Sequence, residues 1–595
     1  MNIVGISALF HDSACCLLKD GKLVAAAEEE RFSRIKHDAS MPAHAFRYCL
    51  REAGLTIADI DCIAYYEDPK KKLGRQIWMG LPEIPARNPE AKFRLDASRA
   101  EREIRAILGY EGPIEKTEHH LAHAASSYYY SGFRDSAILT VDGVGEWATT
   151  SYGFGKDDDL KLFEEVQFPD SLGILYSTIT SYLGFSVNDA EYKVMGLAPY
   201  GKPVHVDQIR QLIQVLDRGQ FRLNLEFFDF LNGEKMYSPR LVELFQKPVR
   251  TPESEILQFH KDISKSLQTV LEEILLEKTR YLKSQVDSEN LCMAGGVALN
   301  CVANGRIKRE GPFRRLFVQP AASDAGSALG AAAIAYQRLT GRRPSSERLA
   351  HVYLGPAYSD AEIGEFLSAT SVAAEDYRDR EKDLISATAE RLAKGKVIGW
   401  FQGRMEFGPR SLGARSILAD PRGAEMRDRI NALVKKREAF RPFAPAVLSD
   451  KAGEHFDLDH ESPFMLETCQ VKSRFSLPAI THVDGSARVQ TVERSASPRF
   501  EALLREFDRQ TGCPILLNTS FNLRGEAIVL DPFDAIWCFV RSQIDCLVLG
   551  NFIIDREQIP PLWLEMGDAW EARRSLQRSR RAGPGAVSHM VYTFF

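Results

Sequence analysis

The stretch EHHLAHAASSYYY, residues 118–130, holds three of the chain's thirteen histidines within five positions. Ala122, Ala124 and Ala125 favour a helix, and residues four apart on a helix share a face, so His119 and His123 point the same way. That is the spacing of helical metal ligands, although two ligands leave a divalent ion half bound. His120 falls about 100° round the helix and flanks the pair. A core helix with satisfied histidines has the same text, so a third ligand from elsewhere must decide. Asp324, at the loop-to-helix junction of LFVQPAASDAGSALGAAAIAY, would ordinarily be an N-cap, and it is also the carboxylate that the pair lacks.

Other residues could carry charge or protons. His11 and Asp12 share a turn after the first strand, and an imidazole with a pKa of roughly 6.5 suits proton abstraction from a hydroxyl. Arg410 in GPRSLG, with Lys435 and Arg441 in VKKREAFRPF, could neutralise phosphates; aromatic and proline residues interleave the second run, which favours a shaped pocket over a solvated face. Arg415, Lys436 and Arg437 share that neighbourhood, some of them as plain solvated charges. Ser520, Asn522 and Arg524 follow an apolar strand, 514–517, in a loop that side-chain to backbone bonds could equally explain.

Elements must hold these groups in place. The text from Asn2 reads strand, turn, strand, Asp-Gly turn, strand, and the text from Ala137 repeats it, with Asp12 in one first turn and Asp142 in the other. Hairpins of this kind are common, so the repeat alone is weak. A helix is expected over 259–282, then a buried strand reaching Ala294, a Gly295-Gly296 turn and a helix opening near Ala298, whose N-terminus could hold an anion or be a plain strand-to-helix turn. Residues 340–359 read as a linker, and a second domain follows with a helix over 381–394 and a strand over 397–401.

With 595 residues the chain exceeds one hydrophobic core, and 44% hydrophobic and 26% charged residues are ordinary for a globular protein. A net charge of −5 provides no field for nucleic acid or an anionic membrane. The N-terminus lacks a basic region and carries His11 and Asp12 inside its apolar run, unlike a signal peptide; no apolar run approaches the ~18 residues of a membrane span. The ten cysteines form no metal-type pairs, which fits reduced buried thiols and a cytoplasmic location.

Eight motifs, in order, resemble one family: FHDSACCLLKDGKLVAAAEEERFSRIKH, EHHLAHAASSYYYS, EYKVMGLAPYGK, AGGVALNCVANGRI, PAASDAGSALGAA, GRMEFGPRSLGARSILADPR, KKREAFRPFAPAV and CPILLNTSFNLRGEAIV. Over roughly residues 1–555 they are similar to the NodU/CmcH O-carbamoyltransferases. The resemblance implies an α/β fold: a duplicated actin-hexokinase-like domain over 1–345, a linker over 346–360, a YrdC-like α/β domain over 361–560 and a basic tail over 561–595.

It also implies an activity, in which carbamoyl phosphate and ATP give carbamoyl-adenylate, whose carbamoyl group passes to an acceptor hydroxyl. His119, His123 and Asp324 match the family's ligands for Fe(II), with Mn(II) or Zn(II) as substitutes in vitro, and Mg²⁺ accompanies the ATP. Arg410, Lys435 and Arg441 match the basic residues of the ATP and carbamoyl phosphate site, and Ser520, Asn522 and Arg524 the phosphate loop. His11 matches the position beside the carbamoyl group, as general base or orienting donor, with Asp12 steering its tautomer. Asp142, Gly143, Gly295, Gly296 and Asn300 would line the adenylate, and Lys193 would touch its phosphate or the acceptor. Expected partners are ATP, carbamoyl phosphate and a small-molecule hydroxyl acceptor from secondary metabolism, with no nucleic acid and no membrane, and a homodimer as the open oligomeric option. Residues 75–94 and 221–249 are candidates for the acceptor pocket. The rival readings are a tRNA-modifying carbamoyl-adenylate enzyme, which needs a basic surface, and a non-enzymatic nucleotide-binding regulator, which leaves the second domain idle.

Overall fold

The computed structural model describes residues 1–79, 95–232, 235–344, 347–435, 440–441 and 443–570, with only the backbone of Asn232, Leu433 and Lys435. The chain forms two compact units: one is Met1–Ser33 with His37–Leu349, the other Arg34–Lys36 with the described residues from Ala350 onward.

The first unit contains two five-stranded sheets of one topology. β1 (Asn2–Ser7), β2 (Ala14–Lys19), β3 (Lys22–Glu28), β4 (Cys62–Tyr65) and β5 (Ile114–Lys116) run in the order β3-β2-β1-β4-β5. β1 pairs antiparallel with β2 and parallel with β4. β6 (Asp135–Val141), β7 (Ala148–Lys156), β8 (Asp159–Gln167), β11 (Asn290–Ala294) and β12 (Arg315–Val318) repeat this as β8-β7-β6-β11-β12. A short ribbon, β9 (Ile213–Val215) with β10 (Phe221–Leu223), lies in the long insertion between β8 and β11. Two such lobes in one chain make the actin-hexokinase type of fold, and they put the turns after β1 and β6, with Asp12 and Asp142, in equivalent places. The middle strands β1 (NIVGIS) and β2 (ACCLLK) are mostly apolar and buried, whereas β8, DLKLFEEVQ, alternates like an edge that is wet on one face.

Helix Asp324–Thr340 packs on helix His119–Tyr128 very closely, because its small residues leave no side chains between them. A Cβ on Gly330 would fall 1.7 Å from the Ala122 carbonyl oxygen. The small-residue run thus brings Asp324 to the histidines.

The second unit is a mixed α/β domain. Its sheet runs β13-β22-β21-β14-β15-β20-β16-β19, from β13 (Glu375–Asp376), β14 (Ile398–Phe401), β15 (Arg415–Ala419), β16 (Ala444–Leu448), β19 (Gln490–Val492), β20 (Ile515–Ser520), β21 (Cys546–Leu549) and β22 (Phe552–Asp555). β17 (Cys469–Gln470) and β18 (Ser486–Ala487) form a separate ribbon. Trp400, Phe401, Ile417, Phe507 and Leu547 are among its fully buried core residues.

Several boundaries differ from expectation. The turn at Gly295-Gly296 leads into a short 3-10 segment, Gly296–Leu299, and the α-helix opens only at Cys301, capped by Asn300 Oδ1, which accepts from Ala303 N at 3.0 Å. Ser323 precedes Asp324 as the N-cap, so Asp324 is the helix's first residue and its carboxylate can turn inward. The stretch read as a linker belongs to the second unit from Ala350 onward, where Phe407 N donates to the Val352 carbonyl at 2.7 Å. Among the described residues all ten cysteines are free and buried, and no helix is long and apolar enough to cross a membrane.

Candidate active site

Helix His119–Tyr128 presents His119 and His123 on one buried face, as the spacing requires. Their Nε2 atoms lie 3.0 Å apart. Asp142, directly after β6, puts Oδ2 at 3.0 Å from His119 Nε2 and 3.5 Å from His123 Nε2, and Asp324 Oδ1 stands at 3.6 and 3.8 Å from the same atoms. All four ligand atoms fall within 4.8 Å of one another. Ser327, one turn along from Asp324, holds His123 Nδ1 at 3.0 Å and so leaves Nε2 to face the cluster. Tyr66 OH reaches Asp324 Oδ2 at 3.5 Å. His120 faces away, against Thr140 Oγ1 (2.7 Å) and Ser151 Oγ (2.9 Å), as its flanking position predicts.

These groups suit a divalent ion. Two imidazoles and carboxylate oxygens make a mixed N/O site, and a 3.0 Å separation of ring nitrogens is that of adjacent ligands roughly 2.1 Å from an ion at about a right angle. The electrostatics agree. Burial disfavours the His119 imidazolium, yet Asp324, Asp142 and Glu146 outweigh it and raise its pKa to about 9, so the cluster attracts positive charge. Burial resists ionisation of Asp142, but His119 and His123 hold its carboxyl well below the usual range. Burial, with the Asp142 carboxylate beside it, pushes Asp324 upward against the pull of His11, His119 and His123.

His11 lies in the turn after β1, with Nδ1 at 3.2 Å from Asp12 Oδ2. Burial lowers its pKa, but the carboxylates of Asp324, Asp12 and Asp142 raise it to about 9. The turn after β1 and that after β6 therefore face one pool of negative charge.

The glycine turn serves Asp142 first. Gly295, at φ 95°, has no room for a Cβ, which would fall 2.2 Å from the Val141 carbonyl oxygen, and Gly296 N donates to Asp142 Oδ1 at 2.8 Å. Ser171 Oγ holds the Gly143 carbonyl at 2.6 Å. Asn300 exchanges hydrogen bonds with Gln268, at 3.0 and 2.9 Å. Lys193 is half-buried, its Nζ 5.4 Å from the centroid of the Phe185 ring.

In the second unit, strand register gathers the loops. Phe401 pairs with Arg415, Ser416 with Ser520 and Ala444 with Asn518, so loop 402–414, loop 521–526 and the approach to β16 meet at one end of the sheet. Arg410, Arg441, Ser520, Asn522 and Arg524 are all half-buried there. The side chain of Lys435, with Lys436 and Arg437, lies outside the described residues, as do 80–94 of the expected acceptor region. Ser520 Oγ donates to Asn522 Oδ1 at 2.7 Å, and Asn522 Nδ2 to the Glu526 carbonyl at 2.7 Å. Arg415 is not a solvated charge: it is fully buried, over the Phe401 ring, and donates to the carbonyls of Gln402 (2.9 Å) and Pro356 (3.0 Å).

Sequence reasoning missed three supporting residues. Glu406 Oε1 accepts from Leu412 N (2.6 Å), Ala414 N (2.8 Å) and Arg415 N (3.3 Å), which shapes the loop carrying Arg410. Glu146 accepts from His119 N at 3.0 Å and caps the histidine helix. Ser327 was legible in principle, being three residues from Asp324 and so on the same helix face. The repeat marked Asp142 as the counterpart of Asp12 without showing that its carboxylate reaches His119.

The model of the carbamoyltransferase N-terminus matches residues 2–79 and 97–333, and that of the carbamoyltransferase C-terminus matches 389–556. An uncharacterized protein of Synechocystis sp. is 45% identical over 94% of this chain and 97% of its own length. Nodulation protein NolNO of Sinorhizobium fredii is 42% identical, over 93% of this chain and 80% of that protein. The 3'-hydroxymethylcephem-O-carbamoyltransferase of Amycolatopsis lactamdurans is 35% identical over 61% of this chain and 64% of its own.

Proposed function

The chain belongs to the carbamoyltransferase family, and from that premise we propose that it is an ATP-dependent O-carbamoyltransferase working through carbamoyl-adenylate. The observation that carries this reading is the convergence of Arg410, Arg441 and the Ser520 loop at one end of the second unit's sheet. Such an end, held by Glu406, can bind a triphosphate and an acyl phosphate.

In the first half-reaction water releases carbamate and inorganic phosphate from carbamoyl phosphate. A carbamate oxygen then attacks the α-phosphorus of ATP, forming carbamoyl-adenylate as pyrophosphate leaves. Arg410, Arg441 and Lys435 would neutralise the charge that develops, Ser520, Asn522 and Arg524 would hold phosphate oxygens, and Mg²⁺ would come with the ATP. We assign this half-reaction to the second unit, as a YrdC-like domain.

The second half-reaction belongs to the first unit. The acceptor oxygen attacks the carbamoyl carbon as its hydroxyl proton is lost, and AMP leaves; His11, with Nδ1 facing Asp12, acts as the donor that orients the carbamoyl group, or as the general base once a cation offsets the carboxylates that raise its pKa. A divalent ion held by His119, His123, Asp142 and Asp324 would offer its open positions to the adenylate's ribose hydroxyls; Fe(II) fits, with Mn(II) and Zn(II) as substitutes in vitro. Gly143, Gly295, Gly296 and Asn300 would line the adenylate and Lys193 would face its phosphate or the acceptor. The acceptor class is a small-molecule hydroxyl, as the name of the cephem-modifying relative suggests.

Purified protein given ATP, Mg²⁺ and carbamoyl phosphate, with no acceptor, should release pyrophosphate and yield carbamoyl-adenylate by mass spectrometry. Arg410→Ala should abolish both. Neither product from folded, metal-loaded wild-type protein would end this reading.

A further inference from the structure

We propose that His37 is a positioning residue for the transfer step, holding Asp12 and, through it, the His11 imidazole. The proposal deepens the reading above, on which the role of His11 rests.

Asp12 stands between two histidines. Oδ2 faces His11 Nδ1 at 3.2 Å, and Oδ1 faces His37 Nδ1 at 2.6 Å, the shorter contact of the two. The far nitrogen of His37, Nε2, stands 3.1 Å from Asp189 Oδ1, and the His37 backbone N donates to Glu30 Oε2 at 2.7 Å. A line of side chains therefore runs His11, Asp12, His37, Asp189, anchored at its middle by Glu30. In acid-base sites a carboxylate that orients a histidine is itself usually fixed by a further partner.

The backbone shows that this line is imposed. Leu9, Asp12 and His37 all hold left-handed conformations, φ 71°, 51° and 56°, which side chains larger than glycine rarely adopt. Segment 37–39 clasps the turn that bears His11 at both ends, as Leu9 N donates to the Ala39 carbonyl (2.8 Å) and Ser13 N to the Asp38 carbonyl (2.9 Å). Neither loop is set by sheet pairing there, so each fixes the other. Without the His37 bond, Asp12 could rotate about its own side-chain torsions and His11 would lose its orienting acceptor.

Amide side chains separate positioning from mere packing. In His37→Asn the amide nitrogen replaces Nδ1 and can still donate to Asp12; in His37→Gln it replaces Nε2 and reaches only toward Asp189. Crystal structures of both full-length variants should show Asp12 in place in His37→Asn and turned away in His37→Gln. With ATP and carbamoyl phosphate, and water as the hydroxyl probe, both variants should keep the first burst of pyrophosphate. AMP release should stay near the wild-type rate in His37→Asn and slow about 10²-fold in His37→Gln. Asp12 unmoved in both variants, or equal slowing of AMP release in the two, would overturn the proposal. If wild-type protein itself gives no burst, the adenylate reading falls, and the position of Asp12 alone decides the role of His37.

Discussion

Asp142 divides its carboxylate, with Oδ2 among the ring nitrogens and Oδ1 accepting from Gly296 N. Asp142→Asn keeps an oxygen for Gly296 while removing the charge, so the variant should fold normally and bind metal about 10–100-fold more weakly, read by metal titration. Wild-type affinity would leave Asp142 outside the metal set. Ser327→Ala should act in the same direction through His123, whose ring would lose the partner that fixes its tautomer. Proton linkage gives a separate check. In the metal-free protein His11 and His119 have pKa values of about 9, above the unfolded value of 6.5. The stability this provides is present in full below pH 6.5 and is lost as pH rises through 9. If the cluster holds a cation, as proposed, the ion would take the place of those protons, so chelated protein should lose thermal stability across that window and metal-loaded protein should lose less. Parallel curves with and without chelator would contradict this.

At the scale of elements, the site depends on how near two helices can come. Gly330→Ala places a methyl group against the Ala122 carbonyl oxygen, and it should cost about 3 kcal/mol in urea unfolding and weaken metal binding, because Asp324 moves with its helix. Glu406→Ala would release three N–H groups of the Arg410 loop, costing about 3 kcal/mol and the pyrophosphate burst, whereas Glu406→Gln keeps the acceptor and should cost less. Helices and strands were legible because their periodicity is local: the helix read over 259–282 is Gln258–Gln285, and the strand over 397–401 is Ile398–Phe401. The histidine pair was legible for the same reason. What joins elements was not, since nothing near Asp142 or Glu406 in the chain announces a partner 23 or 6 residues away. The helix after Gly295-Gly296 was placed early because Val297 and Leu299 continue its apolar pattern through a 3-10 segment.

Across the whole molecule, the repeat in the first unit was visible as a pattern of turns, and two sheets of identical strand order give it physical meaning. The membership of Arg34–Lys36 in the second unit was not visible, because a tripeptide carries no periodicity. Arg34 donates to the carbonyls of Ile528 (2.6 Å) and Ala527 (2.9 Å) and pairs with Asp534 at 3.1 Å. Arg34→Ala should therefore speed amide exchange around 527–534, with a local loss of about 1–3 kcal/mol, and leave exchange in β1–β4 unchanged. Equal protection in both proteins would mean that Arg34 does not stabilise that segment. The membership of this tripeptide also bears on recombination. A crossover at 349/350 that joined this first unit to a relative's second half would leave the incoming unit with residues 34–36 of another protein, so the two halves can be exchanged between relatives only if residues near 34 are inherited with the unit to which they belong.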